Sequence, residues 1–281
     1  MFSITRRKQL NENTVLMDIN APRIAAKALP GQFVIIRVDD RGERIPLTIA
    51  GNDPETGNVT IIFQAVGATT MMLADKKEGE AVSDIVGPLG NASELDGLKK
   101  VAVIGGGLGC AIAYPQAKYL HAHGASVDVI AGFRNKDLII LEDEIRACCD
   151  RLFIFTDDGS NGNKGLVTNG LKELIDAGTA YDAVIAIGPP IMMKFVAKLT
   201  KEYGIKTIVS MNPIMIDGTG MCGGCRITVD GKMKFACVDG PDFDGHKVDY
   251  DELMSRNGMY REYEAESCNL YKAAKEAEKN G

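Results

Sequence analysis

Short apolar runs separated by turn-forming residues fill the first third of the chain. The runs are apolar or β-branched and span Val15–Met17, Phe33–Val38, Leu47–Ile49 and Val59–Gln64. The turn signals between them are Pro30–Gly31, Asp39–Glu43 and Asn52–Asn58, at about the spacing of β-hairpins. Several short strands joined in this way predict a small β barrel or sandwich.

The pattern changes near Gly97, where continuous apolar runs begin to alternate with segments of helical composition. Apolar runs without a polar face are typical of strands buried on both sides of a parallel sheet. The predicted strands are Val101–Ile104, Ser126–Ile130, Leu152–Phe155, Ala183–Ile187 and Lys206–Val209. The predicted helices are Ala111–His123, Leu141–Cys149, Val167–Ala177 and Met192–Tyr203. This alternation predicts a parallel sheet with crossover helices.

The segment from Asn212 to Gly240 breaks the alternation again. It is rich in glycine, holds three cysteines and offers few apolar residues, so we expect a metal centre to organise it. The tail, Tyr250–Gly281, has a helical composition, and its charges form either a solvated face or a partner-binding surface. We therefore divide the chain into residues 1–96, 97–210, 211–249 and 250–281.

Composition narrows the class of protein. The chain has 281 residues and a formal net charge of −6, which argues against nucleic acid as the main partner. No apolar run is long enough to span a bilayer, and no apolar core of a signal peptide follows the N-terminal basic residues, so we expect a cytoplasmic protein. An odd count of seven cysteines does not suggest a disulfide framework.

A glycine loop follows the first predicted parallel strand. Val101–Ala113 reads VAVIGGGLGCAIA, a strand, a glycine turn and the start of a helix, which suits a pyrophosphate at a helix N-terminus. The spacing departs from G-x-G-x-x-G, because position 110 is Cys, and no acidic residue closes the second strand. The loop therefore indicates either a dinucleotide site or a structural tight turn.

The cysteine segment, which we define as Asp217–Cys237, carries the stronger signal. Cys222 and Cys225 form C-x-x-C, and Cys237 follows after eleven residues. Plant-type [2Fe–2S] sites have the spacing C-x4-C-x2-C with a distant fourth cysteine, and here Asp217 occupies the first place. A zinc site with three cysteines and an aspartate, or free buried cysteines, are the alternatives, and Cys268 is a rival fourth ligand.

A third motif, RIPLTI, spans Arg44–Ile49 at a predicted strand of the β region. Its arginine and threonine could hold a diphosphate and a ring edge. The segment Gly67–Thr70 could add amides and hydroxyls to the same phosphate. Either motif could also be an ordinary strand end or turn.

Taken together, the motifs resemble the ferredoxin–NADP reductase superfamily over essentially the whole chain. Within it, the sequence is similar to the electron-transfer subunits of dihydroorotate dehydrogenase, and more so to the small (alpha) subunits of NADH-dependent ferredoxin:NADP oxidoreductases, also described as sulfide dehydrogenases. The similar segments include PGQFV (Pro30–Val34), GPLG (Gly87–Gly90), FRNKDLI (Phe133–Ile139), TDDGSNGNKGLVT (Thr156–Thr168), NPIMIDGTGMCGGCR (Asn212–Arg226) and FACVDGPDFDGHKVD (Phe235–Asp249). The dihydroorotate branch has Cys as the first cluster ligand and the other branch has Asp, so Asp217 favours the latter.

The resemblance implies a β-barrel FAD domain, an α/β parallel-sheet nucleotide-binding domain and a small C-terminal iron–sulfur segment. It implies that FAD contacts Arg44, Pro46, Leu47, Thr48, Phe63, Gln64, Gly67, Thr69 and Thr70. It implies that NAD(H), or NADP(H), lies against Gly106, Gly107, Leu108, Gly109, Arg134, Asp157, Gly188 and Pro189. It implies that a [2Fe–2S] cluster is held by Asp217, Cys222, Cys225 and Cys237.

The implied activity is hydride exchange with NAD(H) and transfer of single electrons to a larger partner subunit. That subunit would carry another flavin and [4Fe–4S] clusters. The resulting heterodimer would exchange electrons with ferredoxin and perform electron bifurcation. No side chain is needed as a general acid or base, so we name no catalytic residue. One alternative is an electron-transfer subunit of dihydroorotate dehydrogenase. Another is a zinc-stabilised nucleotide-binding module without a redox role.

Overall fold

The computed structural model describes residues 1–40 and 42–280, so Arg41 of the predicted Asp39–Glu43 turn and Gly281 of the predicted tail lie outside it. An antiparallel sheet forms the N-terminal part. Its strands are β1 (Phe2–Gln9), β2 (Thr14–Asn20), β3 (Phe33–Arg37), β4 (Arg44–Asp53), β5 (Asn58–Gln64), β6 (Ala81–Val82) and β7 (Asp84–Leu89). They are arranged in the order β6-β1-β2-β5-β4-β3-β7, a nearly closed barrel. Helices α1 (Pro22–Ala25) and α2 (Ala68–Asp75) flank the sheet.

Alternation along the strands explains the barrel core. On β2, Val15, Met17 and Ile19 are buried against apolar residues of the facing strands, because successive side chains of a strand point to opposite faces. The four strands predicted here are present, but β2 and β4 extend well beyond the predicted Val15–Met17 and Leu47–Ile49. The mainly polar β1 (FSITRRKQ) was not predicted.

A parallel sheet follows. Its strands are β8 (Lys100–Gly106), β9 (Ser126–Phe133), β10 (Arg151–Thr156), β11 (Ala183–Ile187) and β12 (Lys206–Ser210). Its helices are α3 (Gly109–Ala122), α4 (Glu142–Arg146), α5 (Val167–Asp176) and α6 (Pro190–Glu202). The strand order β10-β9-β8-β11-β12 confirms the predicted parallel sheet. The predicted helix Leu141–Cys149 is shorter than expected, since Leu141 adopts a left-handed φ of 57°.

The cysteine segment and the residues after it form β13 (Arg226–Val229), β14 (Lys232–Phe235), α7 (Ala236–Asp239) and β15 (Asp242–Asp244). Strands β13 and β14 pair as a hairpin, and β15 adds an antiparallel edge to β12. The few apolar residues of this segment do not form a separate core. Cys225, Ile227, Ala236 and Cys237 are buried in the same apolar cluster as the parallel sheet, because the segment packs on a neighbouring core.

The tail is helical as predicted, but it divides at Gly258 into α8 (Tyr250–Asn257) and α9 (Arg261–Asn280). Helix α9 lies beside α2, where the Tyr271 hydroxyl donates to Asp75 over 2.7 Å and Lys275 pairs with the same carboxylate. None of the helices in the described ranges combines the length and the apolar content needed to cross a bilayer.

Candidate functional site

A cavity of about 970 Å³ lies where the parallel sheet meets the barrel. The carboxyl ends of the parallel strands all open toward it. The residues that follow or end these strands and line the cavity include Gly107, Arg134, Asp157, Gly188 and Met211. Ligands of open α/β sheets bind at this edge, where the order of the strands reverses, here between β8 and β11.

The glycine loop forms the floor of the cavity. Gly107 has a φ of 55°, and a Cβ added there would meet nothing within 4 Å, so its free side faces open space. A Cβ on Gly109 would lie 2.2 Å from the carbonyl oxygen of Ile187, so the start of α3 rests directly on the end of β11. No side chain caps α3. The amides of Cys110 and Ala111 donate to the carbonyl oxygens of Gly107 and Leu108 over 3.1 and 2.9 Å, so an anion such as a diphosphate would meet the amides of Leu108 and Gly109.

The mouth of the cavity on the sheet side carries opposite charges. Arg134 follows β9 and Asp157 follows β10, and both are exposed in the cavity lining. The amide of Asp157 donates to the carbonyl oxygen of Phe133 over 3.0 Å, which holds the two loops side by side. A guanidinium suits a phosphate and a carboxylate suits a sugar hydroxyl, so this pair can receive a nucleotide.

The barrel forms the opposite wall with Phe33, Pro46, Thr48 and Gln64. The strand β5 turns Gln64 into the cavity and Phe63 into the barrel core, where Phe63 is only 1% exposed. A contact from Phe63 to a ligand would therefore have to come from its main chain. Leu47 also packs on the barrel core.

The other barrel residues proposed from the sequence lie outside the cavity lining. The Thr70 hydroxyl accepts a hydrogen bond from the Gly67 amide over 2.9 Å, and the buried Thr69 lies near Glu43. Both threonines sit in the first turn of α2, where Thr70 stabilises the turn and Thr69 links it to Glu43. Arg44 reaches toward the cysteine segment, where its Nη2 donates to the main-chain oxygen of Asp217 over 3.4 Å.

The cysteine segment brings two thiols together. The sulfurs of the buried Cys225 and Cys237 lie 3.2 Å apart, whereas Cys222 is exposed. The main-chain amide of Gly224 points at the Cys222 sulfur over 3.4 Å. Within residues 1–40 and 42–280, no three histidine, cysteine or acidic side chains form a closed metal-binding group.

Electrostatics distinguish the ligand candidates. The Gly224 amide lowers the pKa of Cys222, which favours its thiolate. The hydroxyl and amide of Thr219 and the amide of Met221 donate to Asp217 and lower the pKa of its carboxyl group. Burial and the neighbouring Cys225 raise the pKa of Cys237. The segment thus offers two buried thiols, an exposed thiol with a lowered pKa and a carboxyl group with a lowered pKa.

These donors suit an iron–sulfur cluster. Thiolates ligate iron, and inward-pointing amides such as that of Gly224 stabilise the sulfur atoms of a cluster. The positive φ of Gly218, Gly220 and Gly223 lets the loop curl around such a group. The rival ligand Cys268 lies instead on α9, 3.6 Å from the carbonyl oxygen of Val66 on the barrel.

Sequence reasoning missed several residues of the cavity. They come from the loops after β10 and β12, from α6 and from the barrel, and include Phe33, Gly165, Leu166, Thr168, Ile191, Phe195, Ser210, Met211, Asn212, Met215 and Pro241. Several of them stand inside the segments that carried the family resemblance, which was the available signal. The structure also places Met192 in the lining, while Met193 is buried in the core.

Comparisons with known proteins bear on the same features. Residues 212–249 match the model of the iron-sulfur cluster binding domain of dihydroorotate dehydrogenase B. A Thermotoga maritima protein, named as a homolog of the dihydroorotate dehydrogenase B (NAD(+)) electron transfer subunit, is 46% identical over 276 residues, covering 98% of this chain and 97% of that protein. The chain belongs to the family of dihydroorotate dehydrogenase B electron-transfer subunits and their homologues.

This electron-transfer-subunit homologue is also similar to two further proteins over nearly its whole length. It is 54% identical over 275 residues to a Clostridium beijerinckii protein named only for its place in the adh 3′ region, covering 95% of this chain and 93% of that protein. It superposes with a TM-score of 0.91 and 45% identity on a chain from the structure of NADH-dependent reduced ferredoxin–NADP oxidoreductase, covering 96% and 98% of the two chains. The predicted ferredoxin–NADP reductase-like fold and the predicted family are confirmed.

Proposed function

We propose that this chain is the FAD- and [2Fe–2S]-containing subunit of an electron-bifurcating, NADH-dependent ferredoxin:NADP oxidoreductase. It would exchange hydride with NAD(H), or NADP(H), and pass single electrons to a larger partner subunit that carries a second flavin and [4Fe–4S] clusters, and through it to ferredoxin. The observation that carries the proposal is one cavity with the barrel on one side and the glycine loop on the other, beside the cysteine segment.

The barrel wall supports the flavin assignment. Pro46, Thr48 and Gln64 line the cavity, so they would contact the ring system. Arg44, Leu47, Phe63, Gly67, Thr69 and Thr70 stand on the same strands and turn, outside the lining. We propose that Leu47 and Phe63 pack behind the residues that contact the flavin. Arg44 and the residues at the start of α2 would contact the FAD diphosphate.

The glycine loop supports the nicotinamide assignment. The dinucleotide phosphates would lie against Gly106–Gly109, where the amides of Leu108 and Gly109 at the uncapped start of α3 would hold them. Gly188 and Pro189 would face them from the end of the neighbouring strand. Arg134 and Asp157 would bind the polar groups of the adenosine half. When bound, the flavin and the cluster supply the hydride and single-electron chemistry, and this chain's residues bind, orient and shield them.

The cysteine segment supports the cluster assignment. We propose Cys222, Cys225 and Cys237 as thiolate ligands and Asp217 as the fourth ligand, in a [2Fe–2S] rather than a larger cluster. The three hydrogen bonds within the Asp217 loop all go to Oδ2, which leaves Oδ1 for iron. We also propose that functional boundaries follow the division into residues 1–96, 97–210, 211–249 and 250–281.

The match of residues 212–249 to the dihydroorotate dehydrogenase B domain favours a second candidate. In it, the cofactors stay the same and the partner is a dihydroorotate dehydrogenase catalytic subunit. Co-expression with each type of partner, followed by size-exclusion chromatography, separates the two. A complex with a dihydroorotate dehydrogenase subunit alone would reject the first proposal.

Cofactor analysis of the purified full chain tests the shared part of both candidates. We expect about one FAD, two irons and two acid-labile sulfides per chain, as a [2Fe–2S] flavoprotein requires. Zinc without labile sulfide would overturn the cluster and support the zinc module. In Asp217→Cys we expect an altered electron paramagnetic resonance signal, and an unchanged signal would remove Asp217 from the ligand set.

A further inference from the structure

Three side chains from separate parts of the fold meet behind the cavity wall. Ser93 belongs to the loop that links β7 to β8, Gln116 to helix α3, and Asp242 to the edge strand β15. The Ser93 hydroxyl donates to Asp242 Oδ2 over 2.5 Å. Gln116 Nε2 donates to Ser93 Oγ over 2.7 Å and to Asp242 Oδ2 over 3.3 Å. We call these three residues the carboxyl trio.

The trio lies at a junction of the three functional regions. The Ser93 amide donates to Pro30 of the barrel, and the Asn91 amide donates to Gly240 beside Asp242. Helix α3 begins at the glycine loop, and Asp242 follows the ligand candidate Cys237 by five residues. Two neighbours of Asp242 line the cavity. One is Pro241, which precedes it in the chain, and the other is Ser210, which pairs with Asp242 across the sheet.

The hydrogen bonds of the trio leave two buried atoms unpaired. Asp242 Oδ1 and Gln116 Oε1 are closed off from solvent and lack a hydrogen-bond donor, although Asp242 as a whole residue is only half-buried. The trio itself has three donor hydrogens, one on Ser93 and two on the Gln116 amide, and all three are used on Ser93 Oγ and Asp242 Oδ2. The Ser210 hydroxyl from β12 also bonds to the Asp242 carboxyl, yet Asp242 Oδ1 and Gln116 Oε1 still have no donor. Both unpaired atoms are acceptors, so one more donor is needed.

We propose that Asp242 is a positioning residue and that it carries this donor as a protonated, neutral carboxylic acid. The trio thereby fixes the barrel, helix α3 and the cysteine segment relative to one another. A buried carboxylate with one bare oxygen is unfavourable because that oxygen has lost its hydration, whereas a carboxylic acid carries a hydrogen at that position. The neighbours agree with this assignment. The linking loop, α3 and β12 face the carboxyl with the uncharged Ser93, Gln116 and Ser210, and burial raises its pKa while the two hydroxyls oppose the rise.

The positioning role rests on the proposed function, because the distances it sets are those between the flavin, nucleotide and cluster sites. The protonation of Asp242 does not depend on the proposed function, and it can be measured without any cofactor. As pH rises, ionisation of Asp242 would leave Oδ1 charged and unpaired. We therefore expect the trio to loosen in alkaline solution.

The test compares Asp242→Asn, Asp242→Ala and the control Asp244→Asn, whose carboxylate lies on the same strand but is exposed to solvent. Infrared spectra at neutral pH should show the C=O stretch of a protonated carboxylic acid in the unmodified chain and in Asp244→Asn, and lose it in Asp242→Asn. If the unmodified chain lacks this band, Asp242 is ionised and the proposal is overturned.

The second readout is the flavin-to-cluster electron-transfer rate after rapid reduction. Asparagine keeps one acceptor and supplies a donor, so Asp242→Asn should stay within about twofold of the unmodified rate and lose its decline at high pH. Asp242→Ala should fall by more than about twofold, because electron transfer slows as the two cofactor sites move apart. Equal rates for Asp242→Ala and the unmodified chain would reject the positioning role even if the infrared band is present. A chain that binds no flavin or cluster but keeps the band would reject the proposed function and leave the proton in place.

Discussion

Arg44 on strand β4 donates a hydrogen bond from Nη2 to the main-chain oxygen of Asp217 over 3.4 Å. This contact joins the barrel strand proposed to hold the flavin to the loop proposed to hold the cluster. Its positive charge also helps to lower the pKa of the Asp217 carboxyl. The two sites are therefore mechanically and electrostatically linked through one side chain.

Removal of Arg44 should affect both sites together. In Arg44→Ala we expect weaker FAD retention and a changed electron paramagnetic resonance signal, because a charge-assisted hydrogen bond contributes about 1.5–3 kcal/mol. Arg37→Ala is the control, since Arg37 stands on the neighbouring strand but pairs with Asp84. Equal FAD content and identical spectra in both variants would show that Arg44 has no special role.

Gly107 and Gly124 form a matched pair for testing the nucleotide site. Both have a positive φ, and neither has an atom within 4 Å of an added Cβ, but only Gly107 lines the cavity. An alanine at either position should cost about 1–2 kcal/mol in the free energy of unfolding. Only Gly107→Ala should weaken NADH binding, by roughly tenfold or more, because a methyl group would then occupy the place of the phosphates. Equal NADH affinity in the two variants would remove Gly107 from the site.

A buried ion pair at the far end of the sheet controls acid stability. Asp128 is 1% exposed and accepts hydrogen bonds from Arg151 and Tyr181. Burial would raise the pKa of Asp128, but these hydrogen bonds outweigh it and hold the pKa below its ordinary value. The pair therefore stabilises the fold above the unfolded pKa of about 4, and this stability is lost as pH falls through the folded pKa.

We expect Asp128→Asn to lower the free energy of unfolding at neutral pH by roughly 2–4 kcal/mol, less than the full cost of breaking a buried pair because Arg151 is 44% exposed. The difference from the unmodified chain should shrink toward pH 3. Asp176→Asn, which breaks an exposed pair with Lys172, should leave the free energy of unfolding almost unchanged, because solvent screens exposed pairs. Denaturant unfolding across this pH range measures both variants, and a difference that grows in acid would contradict the assignment.

Arg256 places a cation next to the cysteine segment. Its Nη2 donates to the Gly224 carbonyl over 3.2 Å, and its buried Nε has no hydrogen-bond partner. Reduction adds negative charge to a cluster, so a nearby cation raises its potential. Arg256→Met should shift the cluster potential to a more negative value in a redox titration, while Arg261→Met, at the start of the exposed α9, should not. An unchanged potential in Arg256→Met would contradict this role.

The sequence predicts the parallel sheet well because its strands are short apolar runs buried on both faces, such as Ala183–Ile187, whose bounds match the structure. It does not reveal β15, since Asp242–Asp244 is mainly polar and becomes a strand only by pairing with β12. Helix α2 is also missed. Its threonines give little helical signal, and its first turn is stabilised by the Thr70 hydroxyl rather than by an apolar pattern.

The candidate site likewise has residues that the sequence could have predicted and residues that it could not. Alternation along β5 could have separated Gln64, in the cavity, from Phe63, in the barrel core, because neighbouring strand residues face opposite sides. The carboxyl trio could not be found in this way. Its members are 23 and 126 residues apart, and only the packing of three regions brings them together.

Anaerobic titration of the purified chain with NADH tests whether one chain carries electrons from NADH through a flavin to a cluster, with visible and electron paramagnetic resonance spectra recorded at each step. We expect an oxidised flavin band that bleaches on NADH addition. We also expect a [2Fe–2S] signal that appears as the flavin band bleaches and integrates to about one spin per chain. A chain whose flavin bleaches while no cluster signal develops, or one that holds zinc and no flavin, would contradict this expectation.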